Sequence, residues 1–232
     1  MQDGQRLIVA LHGIQGTRSS WEPVAHRLAD LGRWVLPDLR GRGSAWRGGG
    51  PADYGLAQYA SDAAAVIERE TAGRRPFVLA GWSLGVSVAL ELLASQPGLK
   101  PDCVLLLSGS PCLSRLSWFE GDGPALLNAV AAREQRLSLR AAADHDAVAW
   151  TWQAIRSSDQ RALLARIDTP ALVLHGEQDE DCPIEHAHWL AEGLPHAALQ
   201  TLPGAGHGLL GQHADWVAQA IRDRLEEQER SA

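Results

Sequence analysis

Pro76-Phe77-Val78-Leu79-Ala80, then Gly81-Trp82-Ser83-Leu84-Gly85, then Val86-Ser87-Val88-Ala89-Leu90-Glu91-Leu92-Leu93-Ala94: this stretch decides the fold. An apolar run of strand character enters a Gly-x-Ser-x-Gly turn, and a helix-like run leaves it. Strand, tight turn and helix form the context of a nucleophile elbow. Such a turn holds the serine in a strained backbone geometry. Gly81 and Gly85 leave room where a side chain would collide with a neighbouring strand or helix. Ser83 is expected at the C-terminal edge of a sheet and at the N-terminus of a helix. The pentapeptide alone is weak evidence; its flanks give it meaning.

A serine hydroxyl is a poor nucleophile until a base takes its proton, and that base needs an acid to orient it. In a strand–elbow–helix fold the chain order is serine, acid, histidine. The apolar run Ala171-Leu172-Val173-Leu174 ends in His175-Gly176-Glu177-Gln178-Asp179, with Pro183 shortly after. An acid just past a strand end shares the sheet edge with the elbow. Asp179 is preferred for its place in that loop, with Glu177, Glu180 and Asp181 as competitors. Leu199-Gln200-Thr201-Leu202 leads into Gly204-Ala205-Gly206-His207-Gly208, where a histidine in a Gly-rich loop can fold back over the serine. Ser83, Asp179 and His207 are the expected catalytic set. Leu7-Ile8-Val9-Ala10-Leu11 reads as a buried strand followed by His12-Gly13-Ile14-Gln15-Gly16. The backbone N–H groups of Ile14 and Leu84 are the expected oxyanion donors. His12 is expected to pack or hydrogen-bond within its loop.

Leu11-His12-Gly13, Pro37-Asp38-Leu39-Arg40-Gly41-Arg42-Gly43-Ser44, the elbow, His175-Gly176-Glu177-Gln178-Asp179 and Gly206-His207 together resemble the α/β-hydrolases along nearly the whole chain. Ser108-Gly109-Ser110-Pro111-Cys112 and Trp118, taken with the elbow, are similar to the pimeloyl-carrier-protein methyl ester carboxylesterases of biotin synthesis. The resemblance implies an α/β-hydrolase fold: a mainly parallel sheet, helices on both faces and a short helical cap. It also implies a serine carboxylesterase acting on a small or acyl-chain ester, with no metal or organic cofactor. The substrate would be a small-molecule or acyl-carrier-bound ester, and an acyl carrier protein a partner. Other reactions on the same set of residues are thioester or lactone hydrolysis, carbon–carbon cleavage and the menaquinone-pathway elimination. A non-catalytic receptor of the same fold is the contrasting class. Six residues precede the first strand, so the antiparallel hairpin usual in that family is expected to be missing.

Repeated strand–helix alternation implies parallel pairing with right-handed crossovers. Strands are expected at Leu7–Leu11, Trp34–Pro37, Phe77–Ala80, Val104–Ser108, Ala171–His175 and Ala198–Leu202. Helices are expected at Ser20–Leu31, Leu56–Thr71, Leu84–Ser95, Ile184–Glu192 and Gln212–Glu227. Between Pro111 and Asp168 the alternation stops, and Ala125–Arg140 and Ala147–Arg166 read as helices. Residues 1–110 and 169–232 are thus expected to form the core, and 111–168 a helical cap that roofs the site. Trp82, just before the nucleophile, and Trp118, in the cap, are candidate substrate-binding residues. Trp118, Trp150 and Trp152 could equally be cap core.

The chain has 21 Lys and Arg against 28 Asp and Glu, a formal charge of −7, and no basic block. Nucleic-acid binding is therefore not expected. Arg133, Arg136 and Arg140 share one helix face at i, i+3 and i+7. A basic stripe there could receive an acidic carrier; a solvated face balanced by Glu134 is the plainer reading. Cys103, Cys112 and Cys182 are three widely spaced cysteines, neither a disulfide framework nor a zinc set. They are expected to be packing residues. His186 and His188, two apart on a helix, would not share a face and are expected in solvent, not on a metal. No segment is long enough to span a membrane, and a cytoplasmic location is expected by default.

Overall fold

A computed structural model of the protein describes residues 6–71, 76–137, 139 and 141–231. Its strands are β1 (Leu7–Leu11), β2 (Arg33–Val35), β3 (Phe77–Trp82), β4 (Cys103–Leu107), β5 (Ala171–Gly176) and β6 (Ala197–Leu202). They form one sheet in the order β2-β1-β3-β4-β5-β6, and every pairing between them is parallel. The helices are α1 (Glu22–Arg27), α2 (Leu56–Thr71), α3 (Leu84–Ser95), α4 (Pro124–Arg136), α5 (His145–Ile155), α6 (Arg161–Leu164), α7 (Glu185–Gly193), α8 (Leu209–Gln212) and α9 (Ala214–Ser231). The strand order reverses at β1: the chain leaves it for β2 on one side and returns to β3 on the other. Ligands of open parallel sheets bind at such a reversal, outside the C-terminal strand ends.

The central strands read as unbroken apolar runs because both of their faces are covered. Alternate residues serve opposite cores. Leu7, Val9 and Leu11 of β1, Leu79 of β3 and Leu106 of β4 face α2, α3 and α7. Ile8, Ala10, Val78, Ala80 and Leu105 face α1, α8 and α9. Helix α2 buries Leu56, Tyr59, Ala60, Ala63, Ala64 and Ile67, the three-and-four spacing of an amphipathic helix.

Between β4 and β5 lie α4, α5 and α6. Leu126, Val130, Val148, Trp152 and Ile155 of these helices join the α2–α3 core. The expected helix Ala147–Arg166 is broken in two. Tertiary contacts claim its middle: Cys112 and Asp159 form an antiparallel bridge, and Gln160 N–H donates to Pro111 O. The Gln160 side-chain amide also donates to Ser87 O and Glu91. Asp144 caps α5 by accepting from Ala147 N–H. The expected first helix starts later than read. A 3-10 turn occupies Arg18–Trp21, and α1 begins at Glu22 with Pro23 in its first turn, where a missing N–H costs nothing. The expected strand Trp34–Pro37 is observed at Arg33–Val35.

Two loop ties hold the C-terminal edge. His12, fully buried, bonds Gly13 O through Nδ1 at 2.9 Å and accepts the Leu39 N–H at Nε2, 3.0 Å away. A carbonyl can only accept and a backbone N–H can only donate, so the ring must be neutral with its proton on Nδ1. Burial pushes its pKa down to about 4. Arg42, 1% exposed, donates to Ile14 O from Nε and Nη2, and reaches Tyr59 and Thr151 with Nη1. It joins the loop after β1 to α2 and α5.

His186 corrects a sequence expectation. It is buried, not in solvent: its Nδ1 lies 2.6 Å from Ser110 Oγ and its ring packs edge-on against Trp189. Apolar cover from α7 and the β4 exit outweighs the polarity of the imidazole, whose pKa burial lowers to about 4. His188 is exposed as expected.

The fold makes two stability predictions. A Cβ on Gly85 would stand 2.2 Å from Leu11 O, whereas one on Gly98 would meet nothing within 4 Å. Gly85→Ala should cost about 2 kcal/mol or more in denaturant unfolding, and Gly98→Ala should stay within about 0.5 kcal/mol of the parent. His12 is neutral in the folded state at a pH where an unfolded histidine is charged. Its contribution is fully present above about pH 6.5 and is lost as pH falls to about 4, a loss of about 3 kcal/mol. His12→Gln should flatten the stability profile over that window, read by chemical denaturation at several pH values.

Candidate active site

The turn between β3 and α3 carries Ser83 at φ 57°, ψ −118°, in a region that non-glycine residues seldom occupy. A Cβ on Gly81 would lie 2.4 Å from Gly85 O, and one on Gly85 would strike β1. The two glycines thus let strand, turn and helix close on one another with bare backbone. Ser83 N–H donates to Leu107 O and Ser83 O accepts from Val86 N–H, both at 2.9 Å, so the turn is fastened to β4 and α3. Gly109 supports it from behind: its missing side chain would meet Val86 at 2.2 Å. Ser110 Oγ accepts from Cys112 N–H and bonds His186. The segment Ser108–Cys112 therefore backs the elbow and does not line a binding surface.

Ser83 Oγ lies 3.0 Å from His207 Nε2, and His207 Nδ1 lies 2.9 Å from Asp179 Oδ2. Since the carboxylate accepts at Nδ1, the imidazole carries its proton there and presents Nε2 as the acceptor for the serine hydroxyl. Asp179 Oδ1 accepts from the N–H groups of Asp181 and Cys182 at 3.0 and 2.8 Å. The loop that carries the carboxylate also aims it. Gly176 ends β5 because the next loop passes over it; a Cβ there would sit 2.4 Å from Ala205 O.

The competing acids point elsewhere. Glu177 accepts from Thr201 Oγ on the exposed side of β6. Glu180 is exposed. Asp181 is buried and pairs with Arg133 and Arg136. Burial alone would raise its pKa, but His207, Arg133 and Arg136 together hold the carboxyl below the usual range. His175 donates from Nε2 to Cys182 O, and burial lowers its pKa. The Cys182 thiol, fully enclosed, is pushed well above its ordinary pKa and stays neutral. Cys103 and Cys112 are buried as well.

Trp82 lies between two loops of the site. Its ring would touch a Cβ on Gly13 at 2.9 Å, its indole N–H donates to His207 O at 3.2 Å, and its face packs 5.4 Å from the imidazole. Ile14 follows Gly13, whose Cβ would also come within 3.2 Å of Ser83 Cβ. Leu84 opens α3, so its N–H is among the donors that a helix start leaves unpaired, at the positive end of the helix dipole.

A cleft of about 400 Å³ opens beside His207, lined among others by Trp82, Arg136, Leu137, Leu139 and Gln212. Trp118 is not among its lining residues. It is buried against Trp152 and donates its indole N–H to Asp181 O at 2.7 Å, so it belongs to the packing under α4. The expected basic stripe is also corrected. Arg133 is turned inward, where Asp181 and Gln15 satisfy it, because α4 packs that face onto the site. Arg136 is exposed at the cleft, and Arg140 lies outside the described residues. Gln15 and the inward role of Arg133 escaped the sequence reading. Nothing in the spacing of residues 15, 133 and 181 signals that they meet.

Among the described residues, no helix is long and apolar enough to cross a membrane. The model of the alpha/beta hydrolase family matches residues 8–220. The pimeloyl-[acyl-carrier protein] methyl ester esterase of Chromobacterium violaceum is 30% identical over an alignment of 254 positions, gaps included, covering 95% of this chain and 94% of that protein. The AB hydrolase superfamily protein YisY of Bacillus subtilis is 28% identical over 248, covering 93% and 90%. Among solved structures, an esterase from Exiguobacterium antarcticum superposes with a TM-score of 0.80 at 21% identity, over 97% of this chain and 93% of that one. That likeness speaks for the fold alone. With the family model spanning nearly all of its strands and helices, this chain belongs to the alpha/beta hydrolase family.

Proposed function

We propose that this protein is a serine carboxylesterase with Ser83 as nucleophile, His207 as base and Asp179 as the orienting acid. The observation that carries the reading is the hydrogen-bonded chain from Asp179 through His207 to a serine in strained geometry at a helix start. In the first step Ser83 Oγ bonds to the ester carbonyl carbon while its proton passes to His207 Nε2. The carbonyl oxygen becomes an oxyanion, received by the N–H groups of Leu84 and Ile14. Collapse of this intermediate breaks the bond to the alcohol oxygen, which leaves with the proton from His207. Water then gives its proton to His207 and attacks the acyl-enzyme, freeing the acid and restoring Ser83. Asp179 keeps the imidazole in the required tautomer and stabilises its charge throughout.

Residues 111–168 serve as the cap over this site, and residues 1–110 and 169–232 as the core. For substrate we favour the methyl ester of a pimeloyl chain on an acyl carrier protein, the ester named for the Chromobacterium violaceum relative. Trp82 would border the acyl chain. Of the three cap arginines first considered for the carrier, Arg136 is the one exposed at the cleft.

Ser83→Ala should lower ester hydrolysis by about three or more orders of magnitude without unfolding the protein, and Asp179→Asn by about two to four. Glu177→Gln and Glu180→Gln should change kcat less than about threefold. Retention of more than about a tenth of the activity by Ser83→Ala would remove the acyl-enzyme mechanism. For the substrate, the check is growth without biotin of a strain lacking its own methyl esterase and expressing this protein. No growth, with the protein folded and active on short esters, would leave a general carboxylesterase.

A further inference from the structure

The loop after β1 and the loop after β5 flank the elbow from opposite sides. Their strands are three sheet spacings apart, roughly 14 Å, too far for direct backbone pairing. One side chain from outside the sheet joins them. The Arg133 guanidinium, 6% exposed, donates from Nη1 to Gln15 Oε1 at 2.7 Å and from Nε to Asp181 Oδ1 at 3.2 Å. Its Nη2 lies 3.1 Å from Asp181 Oδ2. Each partner is tied again at its own end. Gln15 Nε2 donates to Val130 O on α4, and Gln15 O accepts from Ala143 N–H. Asp181 N–H donates to Asp179 Oδ1, and Asp181 O accepts from the Trp118 indole. The Phe119 and Trp118 rings cover the guanidinium, with centroids 5.5 and 6.0 Å away.

Gln15 adjoins the proposed oxyanion donor Ile14, and Asp181 stands two residues from the proposed acid Asp179. We propose that Arg133 is a positioning residue, a buried cap cation that sets the oxyanion loop and the acid loop at once and makes turnover depend on the docking of α4. The inference rests on the esterase reading of Ser83, His207 and Asp179. A planar guanidinium suits this bridging role, because its fork takes both carboxylate oxygens while a third nitrogen reaches the amide. Lysine, a compact point charge, has no planar fork to take both carboxylate oxygens while it also reaches the amide. Displacement of α4 would break a buried two-pronged ion pair and leave a charge uncompensated, which is costly. The segment is thus a clamp on the site, not a free lid.

The test uses the full chain and a short p-nitrophenyl ester, with melting temperature, kcat, KM and fluorophosphonate labelling of Ser83 measured for each variant. Arg133→Met should lower kcat about tenfold or more with KM within about threefold, and slow labelling in parallel. Arg133→Lys should recover only part of kcat. Asp181 also takes Arg136 Nη2 at 2.9 Å, so the cycle uses Arg136→Gln as its parent. In that background Gln15→Met and Asp181→Asn should each lower kcat, and the double variant should fall no further than the worse single one, because both then act through the Arg133 guanidinium. Gln15 and Asp181 do not touch, so a purely local structural role predicts effects that multiply. Multiplying effects, or folded Arg133 variants with kcat within about twofold of the parent, would overturn the proposal. If Arg133→Met does not fold, the Gln15 and Asp181 cycle with Arg133 intact decides alone. Failure of the underlying esterase reading looks different: Ser83→Ala would stay active, or Ser83 would not label in the parent protein.

Discussion

The site depends on a steric constraint at one point: Gly85 of α3 lies against Leu11 O of β1 with no space for even a methyl group. That contact seats the helix start on the strand end and makes the turn before it so tight that Ser83 must take positive φ. The strain, of order 1–3 kcal/mol, persists because its surroundings over-determine it. Leu11 O is also the acceptor for the Trp21 indole, so one carbonyl organises the elbow and anchors the turn before α1. Gly13 and Gly81 repeat the principle nearby. Each leaves out a side chain where backbone or the Trp82 ring must pass.

Around that rigid point the loops after β1, β2, β5 and β6 are irregular and need separate restraint, and buried side chains supply it. Arg42 ends on Ile14 O and Arg133 on Gln15 Oε1, so adjacent residues of the β1 loop are held by guanidinium groups from different directions. Among the described residues the partners of Arg42 are carbonyl and hydroxyl oxygens, while Arg133 has a carboxylate. The difference follows position: Arg42 closes a junction of β1 loop, α2 and α5, whereas Arg133 must cross to the acid loop. Neutral His12 ties the β1 exit to the β2 exit without adding charge near the cleft. Trp82 completes the set by wedging between Gly13 and His207.

Legibility in the sequence followed the range of each interaction. The strands and most core helices were readable because short unbroken apolar runs and three-and-four spacing are local patterns. Ser83, Asp179 and His207 were readable for a related reason: each follows a strand end in a turn-rich stretch, and parallel strands deliver their C-terminal ends to one edge. Boundaries shifted where a local rule met a tertiary demand. The long helix read through Arg156–Gln160 is interrupted because Cys112 and Pro111 take backbone partners there. Arg133 and His186, read as surface stripe and solvent residue, turned inward, and Trp118, read as either pocket wall or cap core, packs in the cap. The helices of Arg133 and His186, and the loop before α4 that carries Trp118, have enough apolar neighbours to bury a polar tip once it is hydrogen-bonded.

By itself, then, the sequence determined the sheet, the elbow and the order of the proposed catalytic residues. Those features rest on periodicity and on glycines whose neighbours lie a few positions away. Only the tertiary structure decided where the competing acids Glu177, Glu180 and Asp181 point, which tryptophan borders the cleft, and that Arg133 bridges Gln15 and Asp181. Each of these turns on the direction of a side chain between segments far apart in the chain, and a one-dimensional pattern carries no record of such a meeting.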